Sequence, residues 1–390
     1  MKKLILFVLF PLICGEAAAQ GYGVCMAQDQ QHVYVAGPEF ESFVVMDKET
    51  ESLTFYNAKN STLDWGGYNH LINGIAAEGG KVWISAPVNF LFEDDTFVPN
   101  NQYSGNGTYR FTNLMYNEAC GLWALNGSSM LVELDEDLSI KNEYSIESER
   151  YRMKSSKRAV MTPDGEVWAF GVAYDNANDN KDTYVLLKFS EGQFTLYPQE
   201  NTAIYGIDVD QSGKVWFLTN KFGLMAFDGE NIISTITMPE RTHMTAAADM
   251  KFDASGRLWI LYNDQLLCME NGEFKSYAIP ETYDLTRMLS LSVDGNDVRA
   301  IAYYFIHKVN PATGKADGYG AHHARAILYT FADDAVKVKE IVPTVSNPTG
   351  VNAIALSGEE TPVVYDLQGR RLAAAPRHGV CLVNGKKVMR

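Results

Sequence analysis

The side chains best suited to chemistry in this chain are four of its seven histidines, one run of Asp and Asn, and aromatics set among amides. Imidazoles titrate near neutral pH and ligate metals, so His243, His307 and the adjacent His322 and His323 could form an acid–base or metal cluster. Adjacent residues on an extended strand point to opposite sides, however. No Ser–His–Asp order, phosphate-cradling loop or zinc-ligand spacing accompanies them. No catalytic residue is therefore assigned, and His243, His307 and His322 are the candidates under an enzymatic reading. The run Asp175-Asn176-Ala177-Asn178-Asp179-Asn180-Lys181-Asp182 offers the oxygen ligands that hard cations take. It lacks the glycine and distal glutamate of an EF-hand loop, and Lys181 opposes a cation. A solvated hairpin tip without a cofactor is expected; were calcium bound, Asn176, Asn178, Asn180 and Asp182 would hold it. The aromatics suit contact rather than catalysis: Trp65, Tyr68 and His70, then Tyr103 and Tyr109, then Tyr151 with Arg152, and finally Tyr319 with Arg325. Such rings give large contact area at low entropy cost, as a glycan-, peptide- or protein-binding face requires.

The elements that must position these groups follow from a repeat. A turn, a β-branched residue or leucine, an aromatic and further apolar residues recur as His32-Val33-Tyr34-Val35, Lys81-Val82-Trp83-Ile84, Gly121-Leu122-Trp123-Ala124 and Glu166-Val167-Trp168-Ala169. The phrase continues as Lys214-Val215-Trp216-Phe217 and Arg257-Leu258-Trp259-Ile260, and degenerates to Asp297-Val298-Arg299-Ala300. From Tyr34 through the tryptophans to Arg299 the spacings are 49, 40, 45, 48, 43 and 40 residues. The best repeat resolves into four short strands, 205–209, 214–218, 223–227 and 232–237, punctuated by Gly, Asp and Asn as antiparallel hairpins are. Four strands per unit at this period predict an all-β fold, a seven-bladed β-propeller over residues 20–343. Its tryptophans should fill the space between blades.

Turns between first and second strands are tight, whereas insertions fall at 58–70, 100–112 and 145–157 between blades and at 174–182 and 305–325 within them. In a four-stranded meander both sets of insertions emerge at the same end. One face is thus short and the other elaborated, and the elaborated face is the expected binding site.

The pattern Asp-x-x-Gly-x-hydrophobic-Trp, followed by Gly223-Leu224-Met225-Ala226-Phe227-Asp228, resembles the repeat of two-component-regulator propellers of Bacteroidota. That resemblance implies a periplasmic sensor domain or a secreted protein. A sensor ectodomain working with separately encoded partners is therefore one alternative. Seven-bladed lyases similar to the streptogramin-inactivating enzyme supply another, a lyase or hydrolase using the histidines above.

Residues 1–19 read as a signal peptide: Lys2 and Lys3, an apolar stretch, then Ala17-Ala18-Ala19. Without it the chain holds 31 basic against 47 acidic residues, a balance that repels phosphate backbones and excludes nucleic acid as a partner. No other segment is apolar enough to cross a membrane. Cys25, Cys120, Cys268 and Cys381 are isolated and show no CxxC spacing, as scattered buried thiols would be. Residues 344–352 read as a linker, and 353–390 as a small β module of two hairpins turning at Gln368-Gly369 and Asn384-Gly385. Tyr365-Asp366-Leu367-Gln368-Gly369-Arg370 and Asn384-Gly385-Lys386-Lys387-Val388 closely resemble the C-terminal sorting domains of type IX secretion substrates, with Cys381 at the usual tyrosine position. That resemblance implies the export machinery as a partner and an extracellular or cell-surface location, with the periplasm as the alternative. The expectation is a secreted binding protein that holds a glycan, peptide or protein on its long-loop face without catalysis.

Overall fold

A computed structural model describes residues 25–37, 42–57, 60–63, 72–86, 88–100, 111–127, 129–199, 202–219, 223–239, 249–261, 265–278, 287–306, 323–332, 335–341, 364–365, 371–372, 380–383 and 386–389. Every regular element in them is a strand. The chain divides into two compact units, Met1–Pro343 and Thr344–Arg390. In the second, Val364–Tyr365 pairs with Arg371–Leu372 and Val380–Val383 with Lys386–Met389, and the first strands of these two hairpins pair with each other.

The first unit is a seven-bladed β-propeller. Each blade is one four-stranded antiparallel sheet whose strands pair in chain order. The innermost strands are Cys25–Gln28, Gly74–Glu78, Phe111–Asn117, Tyr151–Met161, Ile204–Val209, Asp249–Phe252 and Arg287–Asp294. They lie side by side around the ring, and the first also neighbours the last. The fifth blade continues with Val215–Thr219, Gly223–Phe227 and Ile232–Ile236, within a residue of the boundaries read from its sequence. Chain-order pairing puts first-to-second and third-to-fourth turns on one face and all other connections on the opposite face.

Large rings wedge the blades together. The indole of each unit meets an aromatic of the next: Trp83 with Tyr116 (4.8 Å between centroids), Trp123 with Phe189 (5.6 Å), Trp168 with Phe227 (6.0 Å), Trp216 with Phe252 (6.0 Å) and Trp259 with Phe331 (6.1 Å). Trp83, Trp168 and Trp259 are almost fully buried. Each such ring removes about 150–250 Å² from water.

The short turns hold the indoles in place. Asp210 accepts the backbone N–H groups of Ser212 (2.8 Å) and Lys214 (3.1 Å), and the Trp216 indole N–H donates to its other oxygen at 2.8 Å. Asp253 does the same with Ser255, Arg257 and Trp259. The glycines closing these turns, Gly213 and Gly256, sit at φ of 81° and 79°, where a side chain would be strained. In the first blade Asp29 accepts from Gln31, His32 and the Tyr34 hydroxyl. Blades two and three depart from the rule, their Trp83 and Trp123 indole N–H groups donating to the Glu136 and Cys120 carbonyls at 2.9 Å each, and blade four departs further. Thr162 replaces the aspartate, its hydroxyl accepts from the Glu166 N–H, and the buried Trp168 indole N–H is left without an acceptor.

The ring closes differently. Among the described residues blades one and seven exchange no strand; Met26, Val33, Val35, Val44 and Met46 meet Ile301, Ala326, Leu328 and Ile341. Arg299 stands where other blades place an aromatic and pairs with Asp297 (3.0 Å), while Lys48 bridges Asp294 and Asp297 at 2.9 Å each.

Trp259→Phe removes a donor from the buried Asp253, whereas Trp168→Phe removes an N–H that bonds nothing. The first change should therefore cost about 1–2 kcal/mol more than the second in urea unfolding; equal costs would contradict the assigned role of the turn carboxylates. Burial alone would raise the Asp210 carboxyl, but bonds from Ser212, the Trp216 indole and the Lys214 amide outweigh it and hold the carboxyl below the usual aspartate range. A depressed carboxyl contributes stability above its unfolded pKa of about 3.9, which is lost as pH falls through the lower folded value. Asp210→Asn should accordingly flatten the acid limb of the stability–pH curve below about pH 4, read by thermal midpoints.

Candidate functional site

The elaborated face is built on unequal hairpins. In blades one, two, three, five and six the second strand ends two or three residues past the indole position, at Gly37, Ser85, Asn126, Thr219 and Leu261. In blade four it runs seven residues past Trp168, to Asp175, and in blade seven it runs seven past Arg299, to Ile306. At 3.3 Å per residue, these two hairpins rise about 13 Å or more beyond the others. They are three of seven steps apart, nearly opposite across the ring.

Blade four displays a packed side and an exposed side. Tyr151 and Met153, on the strand Tyr151–Met161, are buried against Met115, Leu125 and Leu131 of blade three. The expected 145–157 insertion is therefore largely strand, and Tyr151, read as a surface loop residue, is only 7% exposed. On the other side, Arg152 lies 5.1 Å from the Tyr174 ring centroid with Lys154 at 5.5 Å, and Lys154 also pairs with Asp182 at 2.8 Å. Arg152 is exposed, and no described group accepts a hydrogen bond from its guanidinium. Arg150 holds Asp175 through two bonds of 3.0 and 2.9 Å.

The expected 174–182 loop is likewise a strand extension closed by a turn at 176–180. Asp179 and Asn180 adopt φ of 49° and 55°, a left-handed conformation that Asp and Asn tolerate better than most residues. Turn geometry thus accounts for much of the Asx run. Asn176, Asn178 and Asn180 are exposed, and no group of three His, Cys, Asp or Glu among the described residues has metal-binding geometry. Trp65, Tyr68, His70, Tyr103, Tyr109, His243, His307, Tyr319 and His322 lie outside the described residues. Arg325 pairs with Tyr304 on the blade-seven hairpin, and its side chain also lies outside them.

Between the raised hairpins the innermost strands contribute one residue each to a layer around the axis. Cys25, Gly74, Thr112, Arg158, Gly206, Asp249 and Ser290 all pair with the residue two past the indole position. Blade five supplies only Gly206, and past it Arg158 of blade four forms an ion pair with Asp249 of blade six. Asp249 also accepts the Leu291 N–H of blade seven at 3.2 Å, and Asp208 accepts the Phe252 N–H of blade six at 2.6 Å. These carboxylates satisfy inner-edge amides that would otherwise lack partners. Burial, helped by the negative Asp249, pushes the Cys25 thiol up to about 12 although Arg158 opposes the shift. Burial also drives the Cys268 thiol up to about 11. Cys25, Cys120 and Cys268 are all free, and the protonated Cys25 is no nucleophile.

Sequence reasoning missed the basic stripe. Arg152 and Lys154 both lie over the Tyr174 ring, but the surrounding charges read as an inter-blade loop.

No known family profile and no curated protein sequence matches the chain. Solved structures match its fold. A chain of the mitotic checkpoint complex is 11% identical with a TM-score of 0.51, over 72% of this chain and 86% of that one. YCF48 bound to a D1 peptide is 12% identical with a TM-score of 0.52, over 73% and 90%. A chain of Kuenenia stuttgartiensis hydrazine synthase is 8% identical with a TM-score of 0.51, over 86% and 99%. At these identities the likeness establishes the propeller alone.

Cys25 and Cys120 are both half-buried, but the raised Cys25 thiol should make iodoacetamide at pH 8 label Cys120 well before Cys25 in the native protein, with Cys25 reacting once urea opens the fold. Peptide mapping by mass spectrometry reads both sites, and equal native rates would contradict a Cys25 thiol held protonated.

Proposed function

We propose that the protein is an exported binding protein that holds a glycan, peptide or protein between the two raised hairpins of its long-loop face, without catalysis. The observation that carries this reading is the pair of hairpins in blades four and seven, each rising past the rim of a ring whose opposite face is kept short. A rigid base with two walls is a cradle, and binding residues concentrate on such elaborations of a fixed scaffold. The blade-four wall offers Arg152 laid on Tyr174 with its fork uncommitted, a group able to bind a carboxylate, amide or sugar oxygen. The resemblance of the repeat to secreted propellers, the signal-like start and the sorting-like tail support export to the cell surface. The similarity of the fold to YCF48 bound to a D1 peptide, and to a chain of a multiprotein complex, supports peptides and proteins among the ligands.

A glycan array and a surface pull-down with the purified full chain should return a partner. Arg152→Glu should weaken its retention at least tenfold while leaving the thermal midpoint within about 2 °C, because Arg152 is exposed and makes no ion pair among the described residues. No partner from either screen, or a partner indifferent to Arg152→Glu and to Tyr174→Ala, would overturn the reading.

A further inference from the structure

The short-turn face carries a groove between blades six and seven, about 410 Å³ in volume, lined by Ser255, Arg257, Glu270, Asn296, Asp297 and Thr330 over a floor of Trp259 and Phe331. Its opening follows from link length. In blade three the 135–139 turn between third and fourth strands reaches back over blade two, and the Glu136 carbonyl accepts the Trp83 indole N–H at 2.9 Å. Blade seven joins His323–Ala332 to Ala335–Ile341 with only two residues, too few for such a cover over Trp259.

The walls are fixed before any ligand arrives. The Ala254 N–H donates to the Gly295 carbonyl at 2.8 Å, tying the two short turns together, and the Ser255 hydroxyl bonds Asn296 Oδ1 at 2.8 Å. Arg257 is held twice: its Nε–H donates to Asp253 at 2.7 Å, and its guanidinium lies 5.3 Å from the Trp259 ring centroid. Both Nη groups remain without an acceptor among the described residues, as do the Asn296 amide nitrogen and the Thr330 hydroxyl. Two acceptors complete the lining. Asp297 is already neutralised by Lys48 and Arg299, whereas Glu270 is exposed.

We propose that this groove is a second binding site, separate from the long-loop cradle, for a carboxylate-bearing sugar residue such as a uronic acid within a glycan. A positioned guanidinium fork with both outer nitrogens uncommitted matches one carboxylate. Asn296, Thr330, Glu270 and Asp297 supply the mixed donors and acceptors that sugar hydroxyls need. Glu270 disfavours a dianion such as phosphate or sulfate. The floor argues against a peptide terminus, because Trp259 is 2% and Phe331 3% exposed and neither opens a pocket for an apolar side chain.

Isothermal titration of the full chain should show binding of galacturonate oligomers and at least tenfold weaker binding of galactose oligomers of equal length. Arg257→Gln should weaken uronate binding at least tenfold. Thr330→Val should weaken it several-fold, with the fold checked independently of Arg257, and Arg152→Glu on the opposite face should leave it unchanged. Equal binding of neutral oligomers, no uronate binding by the wild type, or insensitivity to both Arg257→Gln and Thr330→Val would overturn the proposal. Loss of uronate binding in Arg152→Glu alone would assign the sugar to the cradle instead.

Discussion

A ring of independent four-stranded sheets holds together only if each sheet is locked to its neighbour in angle as well as in contact. In blades five and six the lock is a carboxylate in a short turn that gathers backbone amides and then takes the N–H of the indole, and in blades two and three a backbone carbonyl takes that N–H instead. Hydrophobic burial supplies most of the attraction but is non-directional; the hydrogen bond fixes which way the ring points. From the second unit to the sixth the indole meets an aromatic of the following blade.

That lock also explains the asymmetry of the two faces. The turns that carry it cannot lengthen without releasing the indole, so they stay short and become tied laterally, as Gln211 is to the Ala254 carbonyl at 2.7 Å and Ala254 to Gly295. The opposite ends of the same strands carry no such duty. Strands there can extend, and in blades four and seven they do. Elaboration is free on one face and constrained on the other, which is why a raised cradle forms at one end and shallow, rigid inter-blade grooves at the other.

The parts of this organisation that were legible in the sequence are those that repeat at short range. Asp-x-x-Gly-x-hydrophobic-Trp states turn, strand and wedge within seven residues, and the strands of the fifth blade could be placed almost residue by residue. The blade-four extension was not legible, because Arg150-Tyr151-Arg152-Met153-Lys154 alternates as a strand should but carries the charges of a loop. Its buried side, Tyr151 and Met153, becomes apparent only when blade three is beside it. The Arg158–Asp249 pair joins residues 91 apart through a gap left by Gly206, and no local pattern announces that. The groove beside Arg257 depends on the difference between a five-residue and a two-residue link in blades far apart in sequence.

The degenerate seventh repeat then has a physical reading. Its Arg299 faces the first blade, the one seam where the two ends of the propeller sequence meet and where no covalent continuity or shared strand assists. An indole there would offer area but little selectivity for the first blade over any other apolar edge. Asp294 and Asp297, the latter also held by Arg299, instead meet Lys48, with Gln28 donating to the Asp297 carbonyl at 3.0 Å, a charge pattern that only the first blade completes. Directional pairs of this kind contribute modest stability and considerable specificity. The apolar cluster beside them supplies the attraction, and the charges decide which blade receives it.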